Sequence, residues 1–194
     1  MVARRLFCNY GRPCFPSRSS RLAEKRLLLV AVKNDLFLFW IHVMKKLPIK
    51  VVPMTRAHIP ACNEIVATSE PWRTLRESVD FLPSIKRKHA FVAVIEGSVA
   101  GFVIFTPEPV FARGGYLRAI GVASAIRGFG VGKLLMAFAE RTTAKKAPNF
   151  FLCVSSFNRP AQAFYRKNGY ARIGKIDGLI RKGASEYIYW KKLR

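Results

Sequence analysis

The sequence predicts a mixed three-layer α/β domain, with a mostly antiparallel central sheet and helices on both faces. Strand-like runs at 89–95 and 98–106 flank Glu96-Gly97, a pair typical of a tight hairpin and therefore of antiparallel strands. The apolar run at 116–122 leads into a glycine-rich turn and then an amphipathic helical pattern. The five apolar residues at 150–154 are typical of a strand that is covered on both faces.

The elements before this hairpin follow from periodicity and helix-start signals. The β-branched run at 49–52 predicts the first strand, and Thr55 is suited to cap a helix over 56–67. Pro71 is well placed to begin a second helix that continues through Leu82.

The elements after the hairpin complete the domain. Pro107 and Pro109 are expected to end the strand at 98–106, because proline lacks the N–H that a ladder needs. The predicted order is β-α-α-β-β-β-α-β-α-β-β, and its last part comprises a helix that begins near 131, a helix over 159–168 and strands at 171–176 and 185–191.

Composition restricts the classes of protein. The chain has 194 residues, of which 51% are hydrophobic, enough for one domain with a sizeable core. Four cysteines show no metal-ligand spacing, so no metal site is predicted and a reducing cytoplasm is expected.

The formal net charge is +23, and residues 44–194 alone hold 26 basic and nine acidic residues. A basic surface of this kind favours acidic partners such as nucleic acid or the ribosome, although a solvated basic surface is an equal alternative.

Residues 1–43 differ from the rest of the chain. An Arg-, Pro- and Ser-rich piece precedes a mostly apolar stretch at 27–43, which Lys33-Asn34-Asp35 divides into pieces too short to span a bilayer. Three interpretations stay open: a leader that precedes a translation start at Met44, an amphipathic helix that packs or lies on a membrane, and a targeting segment. The functional domain is therefore predicted to cover 44–194, with a membrane-bound form disfavoured.

The centre of the sequence is the loop Arg127-Gly128-Phe129-Gly130-Val131-Gly132. A strand, a glycine-rich turn and a helix in succession place backbone amides at a helix N-terminus, which is suited to bind an anion. The spacing excludes a Walker A loop, which needs a glycine five residues before Gly132-Lys133. It also excludes the dinucleotide fingerprint, because the loop has G-x-G-x-G in place of G-x-G-x-x-G.

A second motif narrows the type of loop. The first motif, the loop at 127–132, has the form R-x-x-G-x-G. The second motif is Asn158 to Tyr170, which matches N-x-x-A-x-x-[FY]-Y-x-x-x-G-[FY]. Together, in this order and spacing, the two resemble the GNAT superfamily of acetyl-CoA-dependent N-acetyltransferases. The resemblance covers about residues 49–193 and implies the GNAT fold, in which the fourth and fifth strands splay apart around the cofactor.

The resemblance also implies a cofactor site. Amides from Gly128 to Lys133 would hold the pyrophosphate of acetyl-CoA, Arg127 and Lys133 would add positive charge, and main-chain groups of 120–122 would pair with the pantetheine arm. Asn158 would have a cofactor-facing role, with helix capping as the alternative. The predicted cofactor-binding residues are Ile120, Gly121, Val122, Arg127, Gly128, Phe129, Gly130, Val131, Gly132, Lys133, Asn158 and Phe164.

Catalytic residues are less clearly indicated. Tyr165 matches the tyrosine that protonates the leaving thiolate in many family members, and packing in the core is its alternative role. The branch that acetylates ribosomal-protein N-termini has a glutamate where this chain has Cys153, which we expect to be a core thiol. Glu70 is the first candidate for the general base and Glu186 the second, and a water chain is a further option. Glu70 is equally suited to be a first-turn helix acid.

The predicted function is direct transfer of an acetyl group from acetyl-CoA to an amine. The amine is a small molecule or a protein, and the motifs leave this choice open because they bind the shared cofactor. The rival interpretation is a non-catalytic CoA-binding or nucleic-acid-associated module on the same fold. A monomer and a homodimer are both compatible with the sequence.

Overall fold

A computed structural model describes residues 48–194. The three interpretations of residues 1–43 and the boundary at Met44 lie outside these residues and stay predictions.

The core of the fold is one seven-stranded mixed sheet, which confirms the predicted fold class. In the part of the chain that the structure describes, β4 and β5 pair in parallel, and every other pair of neighbouring strands is antiparallel. The strand order in the sheet is β1-β2-β3-β4-β5-β7-β6. The strands are β1 (Lys50–Pro53), β2 (Ala90–Ile95), β3 (Ser98–Phe111), β4 (Gly114–Val122), β5 (Asn149–Ser155), β6 (Ala171–Asp177) and β7 (Ser185–Lys192).

Within residues 48–194, five α-helices and two short 3₁₀ turns connect the strands. The first helix follows a 3₁₀ turn at Arg56–His58 that Thr55 caps together with the His58 ring, and a second 3₁₀ turn lies at Ser124–Ile126. The helices are α1 (Ile59–Ala67), α2 (Trp72–Leu75), α3 (Leu82–Lys86), α4 (Val131–Ala144) and α5 (Arg159–Lys167).

The prediction of one helix from Pro71 through Leu82 is wrong. The chain forms two short helices there, α2 and α3. Arg76 has a left-handed backbone, with φ of 57°, and this conformation ends α2. The Asp80 side chain then accepts a hydrogen bond from the Leu82 amide at 3.0 Å, at the start of α3.

The prediction that Pro107 and Pro109 end their strand is also wrong, because β3 continues to Phe111. Pairing with β2 stops at Ile104, and the register with β4 is irregular between Thr106 and Phe111. Both prolines therefore lie where the ladder is already interrupted, so their missing N–H groups leave regular pairing intact.

Helices cover both faces of the sheet, as predicted. On one face α1 buries Cys62 and Ile65 against Phe102 of β3. On the other face Phe138 of α4 lies 4.7 Å, between ring centroids, from Phe91 of β2. Burying apolar side chains on both faces supplies the main driving force for folding this three-layer arrangement.

Strands β4 and β5 separate after a short parallel pairing. The paired residues run from Gly114 opposite Asn149 to Leu117 opposite Leu152. Beyond these, β4 continues to Val122 and β5 to Ser155 without pairing to each other. The sheet thus opens between its fourth and fifth strands, at the end where the glycine-rich loop begins.

Candidate active site

The glycine-rich loop has the backbone that an anion site needs. Gly128 and Gly130 both have φ of +88°, a conformation that other residues rarely adopt. Gly130 is the N-cap of α4, and the first hydrogen bond of the helix runs from the Leu134 amide to the Gly130 carbonyl at 3.0 Å. The amides of Val131, Gly132 and Lys133 precede this bond, so the helix itself supplies them with no acceptor.

The electrostatics at this helix start favour an anion. Among the described residues, 48–194, no side chain caps α4, and the first turn of this helix contains no acidic residue. Lys133 lies there instead, exposed to solvent. A lysine beside the positive end of the helix dipole is unfavourable unless a negative group is near, so a bound phosphate would stabilise this turn.

The β4 backbone next to the loop faces the opening between β4 and β5. The Ala123 amide donates to the Ala100 carbonyl at 3.0 Å, on the β3 side. Successive residues of a strand direct their amide and carbonyl to opposite sides. The corresponding groups of Ile120 and Val122 therefore point away from β3, toward the opening, whereas those of Gly121 point to β3.

Phe164 holds α5 against the first turn of α4. A Cβ atom built on Gly132 would lie 3.4 Å from the Phe164 ring and 3.6 Å from a methyl group of Val122. A methyl group at this position would make ordinary van der Waals contact with both side chains, so the two helices pack here with little room for a side chain larger than that of alanine. The structure gives Phe164 this packing contact, and its predicted contact with the cofactor stays a prediction.

Arg127 has two protein partners. Its Nε donates to the Val122 carbonyl at 3.1 Å, and its Nη2 donates to the Ser69 hydroxyl at 2.7 Å. The guanidinium therefore ties the end of β4 to the segment that follows α1. Sequence reasoning missed Ser69 as a partner, since the two residues are 58 positions apart and neither motif includes Ser69.

Tyr165 lies in an aromatic cluster beneath the loop. It is 6% exposed, and its ring centroid is 5.5 Å from that of Phe164, 5.9 Å from that of Tyr170 and 6.2 Å from that of Tyr189. Burial raises the pKa of the Tyr165 phenol above its ordinary value, so the hydroxyl remains protonated at neutral pH. The packing role is shown, and the proton-donor role stays a prediction.

Asn158 is the N-cap of α5. Its Oδ1 accepts a hydrogen bond from the Ala161 amide at 3.3 Å, and the residue is 6% exposed. Capping was the alternative interpretation of this residue, and it is the role that the contacts show. Its cofactor-facing role stays a prediction.

Glu70 is engaged at the start of α2. One carboxylate oxygen lies 2.8 Å from Nη2 of Arg73, and the other accepts from the Thr74 amide at 3.3 Å. Partial burial acts to raise the pKa of Glu70, but hydrogen bonds from Thr74 and Arg73 outweigh it and hold the pKa below its ordinary value. Glu70 precedes the N-cap Pro71, so it lies just outside the first turn, in which the alternative interpretation placed it, but its carboxylate still accepts from the helix amide of Thr74. A carboxylate of lowered pKa is a weak base.

A cleft of about 440 Å³ opens beside Glu70. Its walls come from α2 and the residue Glu70 before it, from the turn that follows β5, and from the connection between β6 and β7. The lining residues are Glu70, Thr74, Ser156, Phe157, Arg181, Lys182, Gly183 and Ala184.

Cys153 lies at the β5 position where the resemblance led us to look for a glutamate. Cys153 is partly buried, and the Tyr116 side chain lies against it. Burial raises the pKa of the Cys153 thiol, which argues against a nucleophile at this position. Glu186, the second candidate for the base, is 5% exposed on β7 and lies opposite Ser155 of β5.

Two further properties concern metals and membranes. Among residues 48–194, no group of three or more His, Cys, Asp or Glu side chains is placed to hold a metal ion. In the same part of the chain, no helix is both long enough and apolar enough to cross a membrane.

Comparison with known proteins identifies the family. The model of the acetyltransferase (GNAT) family matches residues 57–170, more than half of the chain. The chain therefore belongs to the GNAT family, is an N-acetyltransferase and has acetyl-CoA as its acetyl donor. Family, enzyme class and acetyl donor were all predicted from the two motifs and are confirmed.

Solved structures share the fold at low sequence identity. Ard1 from Thermoplasma volcanium is 20% identical, with a TM-score of 0.65 over 74% of this chain and 97% of that chain. A ribosomal-protein-alanine N-acetyltransferase from Brucella melitensis is 23% identical, with a TM-score of 0.59 over 74% and 99%. Arabidopsis thaliana Naa50, in complex with the bisubstrate analogue CoA-Ac-MVNAL, is 16% identical, with a TM-score of 0.61 over 74% and 98%. A comparison with curated protein sequences gives no match.

Proposed function

We propose that this enzyme transfers the acetyl group directly from acetyl-CoA to an amine held in the cleft beside α2. The observation that carries the proposal is the opening between β4 and β5, with the uncapped start of α4 at its end. A long ligand with a phosphate group at one end and an extended arm fits this combination of an anion site and an unpaired strand edge.

The loop and β4 would hold the donor. Amides from Gly128 to Lys133 would bind the pyrophosphate, and Ile120 and Val122 would offer main-chain groups to the pantetheine arm. The Val122 carbonyl already accepts from Arg127, so Arg127 acts here by fixing the strand end in place. Bound acetyl-CoA would supply the acetyl group as a reactive thioester.

The chemistry then requires alignment and two proton movements. Holding the amine beside the thioester raises the effective concentration of the reactants. A β4 amide directed into the opening would stabilise negative charge that develops on the carbonyl oxygen. The Tyr165 hydroxyl, kept protonated by burial, would donate its proton to the departing sulfur.

The acceptor is an amine of a small molecule or a protein. One structural neighbour is named as a ribosomal-protein-alanine N-acetyltransferase, and another was solved with a bisubstrate analogue. At 23% and 16% identity these neighbours support the shared fold and do not identify the acceptor. A cytoplasmic location, and a further role on the ribosome or on nucleic acid, stay proposals that rest on cysteine content and charge.

The proposal is tested by titrating the full chain with acetyl-CoA in a calorimeter and then measuring transfer to a panel of amines. Gly130→Asp places a carboxylate at the N-cap, so binding should be lost by repulsion of the pyrophosphate. Gly97→Asp is a matched control, because Gly97 has φ of +81° and open space around it but lies in the β2–β3 hairpin.

Three results would contradict parts of this function. A folded parent that fails to bind acetyl-CoA would overturn the proposed acetyl transfer. A Gly130→Asp variant that binds as tightly as the parent would overturn the assignment of the pyrophosphate to the glycine-rich loop. Binding without transfer to any amine would favour the non-catalytic alternative.

A further inference from the structure

A buried carboxylate lies where β5 has separated from β4. Glu186 is 5% exposed and pairs across the sheet with Ser155, whereas the last β5 residue that pairs with β4 is Leu152. The carboxylate is therefore beyond the fork of the two strands, in the region that the acceptor must reach.

The carboxylate also lies on the acceptor side of the sheet. Directly opposite residues share a face, and so do residues two apart along a strand, so Glu186, Ser155 and Cys153 face one way. The opposite face carries Phe150, whose ring lies 6.2 Å from that of Phe105 in the aromatic packing under α4. Glu186 thus faces the α1 and α2 side, and the charge of Glu77, which follows α2, acts on it.

Glu186 has no basic partner within the part of the chain that the structure describes. This is unusual in a protein with a formal net charge of +23. Burial raises the pKa of Glu186, Glu77 raises it further, and the neighbouring Ser155 hydroxyl lowers it in part. A buried carboxyl without a cation costs stability, and such groups concentrate at functional sites.

Two more observations connect Glu186 with the cleft. The Ser155 hydroxyl is buried next to Glu186, and among residues 48–194 it has no hydrogen bond to any other residue. The cleft walls include Ser156, next to Ser155, and Ala184, two residues before Glu186. Neither Ser155 nor Glu186 lines the cleft itself, but their chain neighbours form part of its wall, so the hydroxyl and the carboxylate lie just behind that wall.

We infer that Glu186 is the general base that takes the proton from the acceptor amine, and that Ser155 helps to orient this amine. The inference rests on the proposed acetyl transfer and adds to it the residue that activates the acceptor. An ammonium acceptor gives one proton to the Glu186 carboxylate, and the free nitrogen attacks the thioester carbon. The new C–N bond forms as the C–S bond breaks, and Tyr165 protonates the sulfur. The second proton that the nitrogen loses passes to the Tyr165 phenolate through solvent, and Glu186 releases its proton to solvent. Each turnover thus sets one proton free and restores both residues.

The structure separates the roles of the two acids. Glu70 is bound to Arg73 and to the Thr74 amide, which stabilise its charged form. Glu186 lacks such partners, and a base works best when its pKa is raised toward the working pH. The order of candidates drawn from the sequence, with Glu70 first, is thereby reversed.

The test compares Glu186→Gln with the parent in the full chain. Acetyl-CoA affinity, measured by calorimetry, should stay unchanged, while kcat/KM for the amine should fall about 10²- to 10⁴-fold. The parent kcat/KM should rise with pH as Glu186 ionises, and this acid limb should be absent in the variant. The titratable side chains that interact with Glu186 are those of Tyr116, Cys153 and Glu77. On its other side Glu186 pairs with Ile176 of β6, which has no titratable group.

A second variant keeps the test decisive if Glu186→Gln folds poorly. Ser155→Ala removes a hydroxyl that lowers the pKa of Glu186, so the acid limb should move to higher pH. Glu64→Gln, an exposed change on α1, is the control and should leave the profile unchanged.

The inference is overturned if Glu186→Gln keeps the parental rate and acid limb, or if Glu70→Gln abolishes the limb instead. A folded parent that does not bind acetyl-CoA would instead overturn the proposed function, so the two failures are distinguishable.

Discussion

The left-handed backbone of Gly130 gives a quantitative prediction for the loop. Gly130→Ala adds a methyl group that meets no atom within 4 Å, so steric contact contributes nothing. The φ of +88° remains unfavourable for alanine, at a cost of about 1–2 kcal/mol. The whole effect of the substitution therefore comes from the backbone conformation.

The unfolded chain does not carry this conformational cost, whereas the complex with acetyl-CoA carries all of it. If the ligand requires the native loop, the loss in the free energy of unfolding and the loss in binding free energy add to about 1–2 kcal/mol. The loop is exposed and few contacts hold Gly130, so we expect the free protein to relax and binding to carry most of the loss. Affinity should then fall about 5- to 30-fold, since about 1.4 kcal/mol corresponds to a factor of ten.

Two measurements on the same variants check this sum. Urea unfolding gives the change in stability, and calorimetric titration gives the change in affinity for acetyl-CoA. Gly97→Ala is the matched control, with φ of +81° and no atom within 4 Å of the added methyl group. It should lose about 1–2 kcal/mol of stability and keep the parental affinity.

A combined loss near zero for Gly130→Ala would refute the reasoning, because the bound loop would then not use the left-handed conformation. An equal loss of affinity in Gly97→Ala would refute it as well, because the effect would not be local to the loop.

Two other predictions concern the aromatic cluster and its neighbours. Tyr165→Phe removes the proposed proton donor but keeps the ring contacts, so kcat should fall about 10²-fold or more while calorimetric affinity for acetyl-CoA stays unchanged; an unchanged kcat would leave Tyr165 with a packing role only. Tyr170→Phe removes a hydroxyl that donates to Glu140 at 3.0 Å from a site that is 3% exposed, so urea unfolding should show a loss of about 1.5–3 kcal/mol; no loss would mean that this hydrogen bond is not stabilising.

Much of the fold could be predicted because the signals are local. The Glu96-Gly97 pair, the apolar strand at Asn149–Ser155 and the caps at Thr55 and Asn158 depend on a few consecutive residues. The two wrong predictions have different causes. The strand continues past Pro107 and Pro109 because the ladder is already interrupted there, which depends on pairing with β2 and β4. Arg76 adopts a left-handed conformation that arginine rarely takes, so no residue type indicated the end of α2.

The loop was predictable for the same reason as the strands and caps. A strand, two glycines with positive φ and a helix start follow each other between Val122 and Lys133, so the order of residue types is enough to predict this backbone, on which the proposed anion site depends. The second motif, which begins at Asn158, made the family clear without any structure. The sequence by itself therefore determined the fold class, the family and the acetyl donor.

Tertiary structure alone decided the partners of the charged groups. Arg127 binds a serine that is 58 residues away, and Glu70 and Glu186 differ in basicity because one is paired at a helix start and the other is buried beside Glu77. The pKa of a carboxyl depends on burial and on charges within a few ångströms, and these are set by segments far apart in the chain. The residue types could nominate both acids, but only their packing distinguishes them.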